Sequence, residues 1–208
     1  MVPVALLAVV AVLGTSRGVR RAVLSSAGRA LVAQDPIEQV DVIVVSVAAG
    51  GEGVLEAADL FHAGIASRVA VFAEFPDASD REFTRRHIPF ENETERSIRR
   101  LHALSVDHVE VIDVGAVTGT ASEGEILPEW CDRQGIGAVV VVTTSDHSRR
   151  LRRVLRRAMN GHRARALVRP AHYSRFDPET WWTYRDGVRI EIVELEKLLL
   201  DVAGHPLS

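Results

Sequence analysis

A chain of 208 residues, 47% apolar and 25% charged, has the composition of one folded globular domain. Its formal charge of -3 argues against a chain that is basic overall and held to nucleic acid by phosphate contacts, so no nucleic-acid partner is expected. A single cysteine, Cys131, excludes an intrachain disulfide and leaves the compartment open.

The chain opens on an uninterrupted apolar run from Val2 to Leu13, followed by Arg17, Arg20, Arg21 and Arg29. As a helix that run spans only ~18 Å, against a hydrocarbon core of ~30 Å. Three readings stand: a short or truncated membrane anchor, which is preferred, a signal-like segment without the usual charged start, and a buried helix. The expectation is therefore an anchor and Arg-bearing linker over residues 1–34, with a domain over residues 35–208 entered at Asp35-Pro36. An anchor of this kind places the protein at a membrane; the downstream arginines taken alone would hold the domain in the cytoplasm, and the side of the domain stays open.

Past Asp35, short β-branched runs alternate with helical patterns. Val40–Val47, Val69–Ala73, Val109–Val114, Ala138–Thr143 and Ala164–Val168 are nearly continuous in Val, Ile or Ala, as strands covered on both faces are. Val54, Leu55, Ala58 and Phe61 share one helical face, and Gly64 is placed to end that helix. Asn92 with Glu95, and Ser122 with Glu125, each have the spacing of a capping box, and Gly135 closes the second of these helices. Leu151, Val154, Leu155 and Ala158 form the apolar face of a further helix, and Val193–Val202 reads as a docking helix. Strand–helix alternation at this spacing predicts an α/β, three-layer Rossmann-like fold with a mostly parallel sheet of about five strands.

In such sheets ligands bind beyond the carboxyl ends of the strands. The loop Ala48–Gly53 offers Gly50 and Gly51 for close approach of an anion. Its dinucleotide fingerprint is incomplete, because Glu56 stands at the third glycine position; a plain tight turn is the simpler reading. Glu74 follows the second strand, where an acid could meet a ribose. Thr118–Glu123 gathers hydroxyls and an acid at a helix start, where Thr120 and Glu123 can cap or face a ligand. The sharpest loop is Thr143-Thr144-Ser145-Asp146-His147-Ser148-Arg149-Arg150. There Thr143, Thr144 and Arg150 are candidate ligand-binding groups and His147, with Glu123, a candidate for proton transfer. Arg152, Arg153, Arg156 and Arg157 read as a solvated helix face, and Trp181 and Trp182 as packing for a terminal element. No histidine spacing suggests a metal, and Cys131 reads as a core residue.

Several of these segments together resemble the YdcF-like proteins, a bacterial group that includes SanA- and ElyC-type envelope proteins. The resemblance is carried by Asp41–Val45, by Val142–Arg150, by Thr120 and Glu123, and by Asp177, Trp181, Trp182, Arg185, Glu194 and Lys197. The glycine run of that family is displaced here, with Ser46–Ala49 preceding Gly50, and Ala73-Glu74-Phe75 replaces its second turn. The resemblance implies a divergent member, membrane-anchored, binding a small anionic or nucleotide-like ligand and serving cell-envelope maintenance. The cofactor stays unknown, with S-adenosylmethionine or another nucleotide implied by the resemblance alone. The alternatives are a hydrolase or transferase acting on a phosphorylated or glycosylated envelope precursor, and a scaffold without a ligand.

Overall fold

The computed structural model describes residues 16–113, 117 and 119–206. Five strands form one all-parallel sheet: β1 (Val42–Val45), β2 (Val69–Phe72), β3 (Val109–Ile112), β4 (Ala138–Thr143) and β5 (Arg165–Pro170), in the spatial order β3-β2-β1-β4-β5. The helices are α1 (Arg17–Leu31), α2 (Gly50–His62), α3 (Ala78–Arg85), α4 (Glu93–Ala103), α5 (Thr120–Gln134), α6 (Ser148–Ala158) and α7 (Arg185–Gly204). The α/β, Rossmann-like expectation holds, including the strand count.

Because side chains alternate across a strand, the sheet buries two separate apolar layers. Val42, Val44, Val139 and Val141 meet Leu127 and Trp130 of α5 and Leu151 and Leu155 of α6. Ile43, Val45, Val140 and Val142 meet Val54, Ala57 and Leu60 of α2 and Leu101 of α4. Leu55, expected on the buried face of α2, is exposed, and Ala57 and Leu60 take the contact instead. Register is tight at the centre, where Val44 is opposite both Ala70 and Val141. At the sheet edge β3 is different: Val111 is exposed, so the continuous burial expected of that run fails for want of a neighbour.

The helix ends follow local chemistry. Asn92 and Glu95 close a reciprocal capping box on α4, and Gly64 and Gly135 end α2 and α5 at φ 74° and 67°, a region glycine occupies without strain. The second expected box shifts. α5 starts at Thr120, so Ser122 lies inside the first turn, where its hydroxyl accepts the Gly119 N–H. Residues 78–85 form an exposed helix that apolar periodicity could not reveal, since none of its residues is buried; an Asp77–Asp80 box starts it.

The N-terminal expectation needs correction. The apolar run at residues 2–13 lies outside the described residues. Among the described residues no helix is long and apolar enough to cross a membrane, so the transmembrane-helix reading is not sustained. Nor is the Arg-bearing segment after the run a linker. α1 buries Ser25, Gly28 and Leu31 while its arginines stay exposed, and Leu31 joins Phe176, Trp181 and Leu198 in a third apolar cluster. A Cβ at Gly28 would come within 2.6 Å of Pro178 O and 2.7 Å of Trp181 Cδ1, so the contact requires glycine. Trp181 Nε1 donates to Leu24 O, and Asp35 caps the edge of β5 through Val168. The folded unit thus includes α1, ahead of the expected boundary at Asp35. The basic face of α6 is part of the same seal: Arg152 pairs with Asp35, and Arg153 and Arg157 pair with Asp201 of α7. Instead of facing solvent alone, as their spacing predicts, these arginines hold α6 to its neighbours.

Candidate functional site

The sheet order reverses direction between β1 and β4, so the loops after these strands diverge and leave a crevice at their carboxyl ends. A cavity of ≈ 450 Å³ occupies that crevice. Its walls come from the β1–α2 loop (Val47), the start of α2 (Gly50, Gly51), the start of α5 (Thr120), the β4–α6 loop (Thr144, Asp146, His147), α6 (Arg150) and α7 (Ile190, Glu194, Lys197). Three helices begin around it, and each first turn presents backbone N–H groups without intrahelical partners.

His147 is the centre of a dense polar cluster. It is buried, with Nε2 2.9 Å from Thr120 Oγ1 and Nδ1 3.2 Å from Glu194 Oε2. Arg150 reaches over the same groups. Its Nη1 donates to Thr120 Oγ1 at 3.1 Å, and its Nε and Nη2 donate to Glu194 Oε2 at 3.1 and 3.0 Å. Nη2 also lies 2.8 Å from His147 Nδ1. Lys197 Nζ donates to the other Glu194 oxygen at 2.7 Å. Burial works against a charge on Glu194, but the contacts from His147 and Lys197, together with the Arg150 charge, outweigh it and hold the carboxyl down at about 2.

The remaining acids here behave in the opposite way. Glu123 is buried behind His147; its Oε1 accepts the Val47 N–H at 2.8 Å, and its Oε2 has no partner among the described residues. Burial pushes that carboxyl up. Burial likewise pushes Asp146 up, with help from the Glu194 charge. Glu191, one turn before Glu194, has neither oxygen satisfied among the described residues, and burial with the nearby Asp146 charge raises it to about 7. One firmly ionised carboxylate, Glu194, thus faces two cations, Arg150 and Lys197.

Of the residues singled out from sequence, Gly50, Gly51, Thr120, Thr144, His147 and Arg150 line this cavity. Glu123 and Thr143 sit behind the wall. Thr143 is fully buried with its hydroxyl unpartnered among the described residues, so it borders the site without lining it. The residues that loop-by-loop reading misses are Glu191, Glu194 and Lys197, because they arrive from α7, outside the strand-end loops; only the family resemblance marks Glu194 and Lys197. His162 pairs with Asp132 elsewhere. Among the described residues no cluster is suited to a metal. Burial pushes the Cys131 thiol up to about 12, which fits its core position and makes it a poor nucleophile.

The glycine-loop geometry resolves the dinucleotide question in favour of a structural turn. A Cβ at Gly53 would fall 2.2 Å from Ala49 Cβ, so this glycine serves helix packing. Glu56, at the position of the third glycine, is buried and accepts Arg169 Nε at 2.6 Å and the His172 N–H at 2.9 Å, tying α2 to the end of β5. Glu74 lies apart from the cavity, beside Glu93 and Thr94.

No protein-family model and no curated protein matches this sequence. Among solved structures the chain is similar to the reductase domain of an aureusimine biosynthetic cluster, with a TM-score of 0.33 and 9% identity over 71% of this chain. The match spans 54% of that chain's length.

Proposed function

We propose that this protein binds a small anionic ligand of phosphate or nucleotide-phosphate chemistry in the crevice between β1 and β4. The observation that carries the reading is the pairing of two cations with one ionised carboxylate beside three helix N-termini. The cavity also has the size of a small-molecule site, which falls at about 300–1,000 Å³. Part of the set that carries the resemblance to YdcF-like proteins meets at this one place: Thr120, the 143–150 turn, Glu194 and Lys197 are neighbours although far apart in sequence, while Asp41, Trp181 and Trp182 lie elsewhere. That convergence supports a shared site in place of a scattered likeness.

A second reading, a hydrolase or transferase acting on the bound anion, is favoured by one feature. Glu194, His147 and Thr120 form a carboxylate–imidazole–hydroxyl line of the kind that orients a base against a nucleophile or a substrate proton.

Untargeted mass spectrometry of small molecules retained by the purified chain tests the first reading, with His147→Gln and His162→Gln as paired variants. Retained phosphate-bearing ligand is expected in the wild type and in His162→Gln, and is expected to drop in His147→Gln. Because His147 is buried and bonded through both ring nitrogens, its variant is also expected to lose stability, by about 1–3 kcal/mol. Equal retention in both variants would remove His147 from the site.

A further inference from the structure

The contacts of His147 Nδ1 cannot all be made at once. A guanidinium only donates, so Arg150 Nη2 at 2.8 Å requires a bare Nδ1 with its lone pair toward Arg150. Glu194 Oε2 at 3.2 Å, an ionised acceptor, requires the opposite, a proton on Nδ1. The ring nitrogen chooses one partner, and the choice fixes what the other nitrogen does. With Nδ1 bare, the ring proton sits on Nε2 and is donated to Thr120 Oγ1, which also accepts from Arg150 Nη1. With Nδ1 protonated, Nε2 is the bare nitrogen and faces the Thr120 hydroxyl as an acceptor. The Arg150 contact is the shorter one, and Glu194 is already occupied by Arg150 Nε and Nη2 and by Lys197, so the His147 donation that also lowers Glu194 belongs to the Nδ1-protonated state.

We infer that Arg150 is a ligand-controlled lock on the tautomer of His147. In the unliganded protein Arg150 holds Nδ1 bare, so that Nε2 donates to Thr120 and cannot act as a base toward it. An anion entering the crevice competes for the same guanidinium, since a phosphate oxygen is a better partner for Arg than a neutral imidazole nitrogen. Turning Nη2 toward the anion frees Nδ1. One proton leaves Nε2 to the solvent in the cavity and one arrives at Nδ1, where it bonds Glu194, so the exchange moves no net charge. Nε2 then accepts from Thr120, and the base is set only when ligand is present. Arg150 is here a positioning residue acting through His147. The inference rests on anion binding at this site, and it gives that binding a consequence for chemistry: proton transfer at Nε2 is withheld from an empty crevice.

The test is the ¹⁵N spectrum of the imidazole side chains in the full chain at pH 8, where an ordinary imidazole is neutral and its protonated and bare nitrogens resonate far apart. His147 is assigned by the loss of its signals in His147→Gln. The unliganded wild type is expected to show Nε2 protonated. Arg150→Met, which removes the donor, is expected to show Nδ1 protonated without any ligand. Saturating pyrophosphate is expected to move the wild type to that same Nδ1-protonated pattern. Glu194→Gln, lacking the charged acceptor, is expected to keep Nε2 protonated with or without pyrophosphate. A wild type that is Nδ1-protonated before ligand is added overturns the lock, as does an Arg150→Met spectrum that matches the unliganded wild type. Should Arg150→Met fail to fold, the wild-type spectra with and without pyrophosphate carry the decision. Pyrophosphate that binds without moving the proton overturns the coupling to ligand. Absence of pyrophosphate binding overturns the anion reading itself, and the Arg150→Met comparison then still decides the lock.

Discussion

Glu191→Gln is expected to stabilise the fold by about 2 kcal/mol at pH 8 and to leave its stability at pH 4 unchanged. Glu191 is buried on α7 with both carboxylate oxygens unpartnered among the described residues, and burial, reinforced by Asp146, raises it to about 7. The folded protein therefore binds this proton more tightly than the unfolded chain does. Stability is fully present below the ordinary glutamate range and is lost as pH rises through about 7, where an unpaired charge must be held out of water. The full displacement corresponds to about 3 kcal/mol, reduced to about 2 by solvent screening. An amide at this position carries no such penalty. Urea unfolding of both proteins at the two pH values measures the difference. A stability gap that is the same at pH 4 and pH 8 would show that Glu191 is solvated after all.

The opposite pH dependence is expected at Glu194. Arg150→Met is expected to cost about 2–3 kcal/mol at pH 7, somewhat less than the loss of a fully buried pair, because Lys197 still holds one carboxylate oxygen. Burial alone would raise Glu194; His147, Lys197 and Arg150 together bring it to about 2. A depressed carboxyl contributes stability that is present above its unfolded value and lost as pH falls through its folded value. The gap between wild type and Arg150→Met is thus expected to shrink as pH falls from about 4.5 through about 2, where Glu194 of the wild type is half protonated, and to close only below that. Thermal unfolding across that range reads it directly. A gap that persists undiminished at the acid end would mean that Arg150 stabilises the fold through packing and not through this charge.

The strands and the general place of the site are legible in the sequence because both depend on local pattern. Val42–Val45 and Ala138–Thr143 are apolar without a break since both faces are covered, and the turn at 143–150 concentrates hydroxyl, carboxylate, imidazole and guanidinium groups beyond a strand end. The features that escape a sequence reading depend on contacts between distant segments. The docking of Arg17–Leu31 against Trp181 and Leu198 uses a short stripe, Leu24, Ala27, Gly28 and Leu31, confined to the second half of a helix whose exposed arginines dominate its composition. The basic face of α6 looks solvated until Asp35 and Asp201 arrive from positions far along the chain. The same holds for Glu191 and Glu194. On a helix read alone they fall among charged residues, and only the approach of α7 to the crevice makes them the acids that set its electrostatics. The Ser122–Glu125 spacing misleads by three residues because Gly119, in place of Ser122, caps α5, which brings Thr120 into reach of His147.

The central claim is that the crevice between β1 and β4 takes an anion on Arg150 and Lys197, and calorimetric titration with pyrophosphate at low ionic strength tests it most directly. The wild-type chain and Lys197→Ala are compared, since Lys197 is half exposed and its removal spares the fold. One site per chain is expected in the wild type, with affinity falling about tenfold in Lys197→Ala, the effect of losing one charge-assisted hydrogen bond of about 1.5 kcal/mol. Heats of dilution alone in the wild type, or binding that is unchanged in Lys197→Ala, would contradict the assignment of this crevice as an anion site.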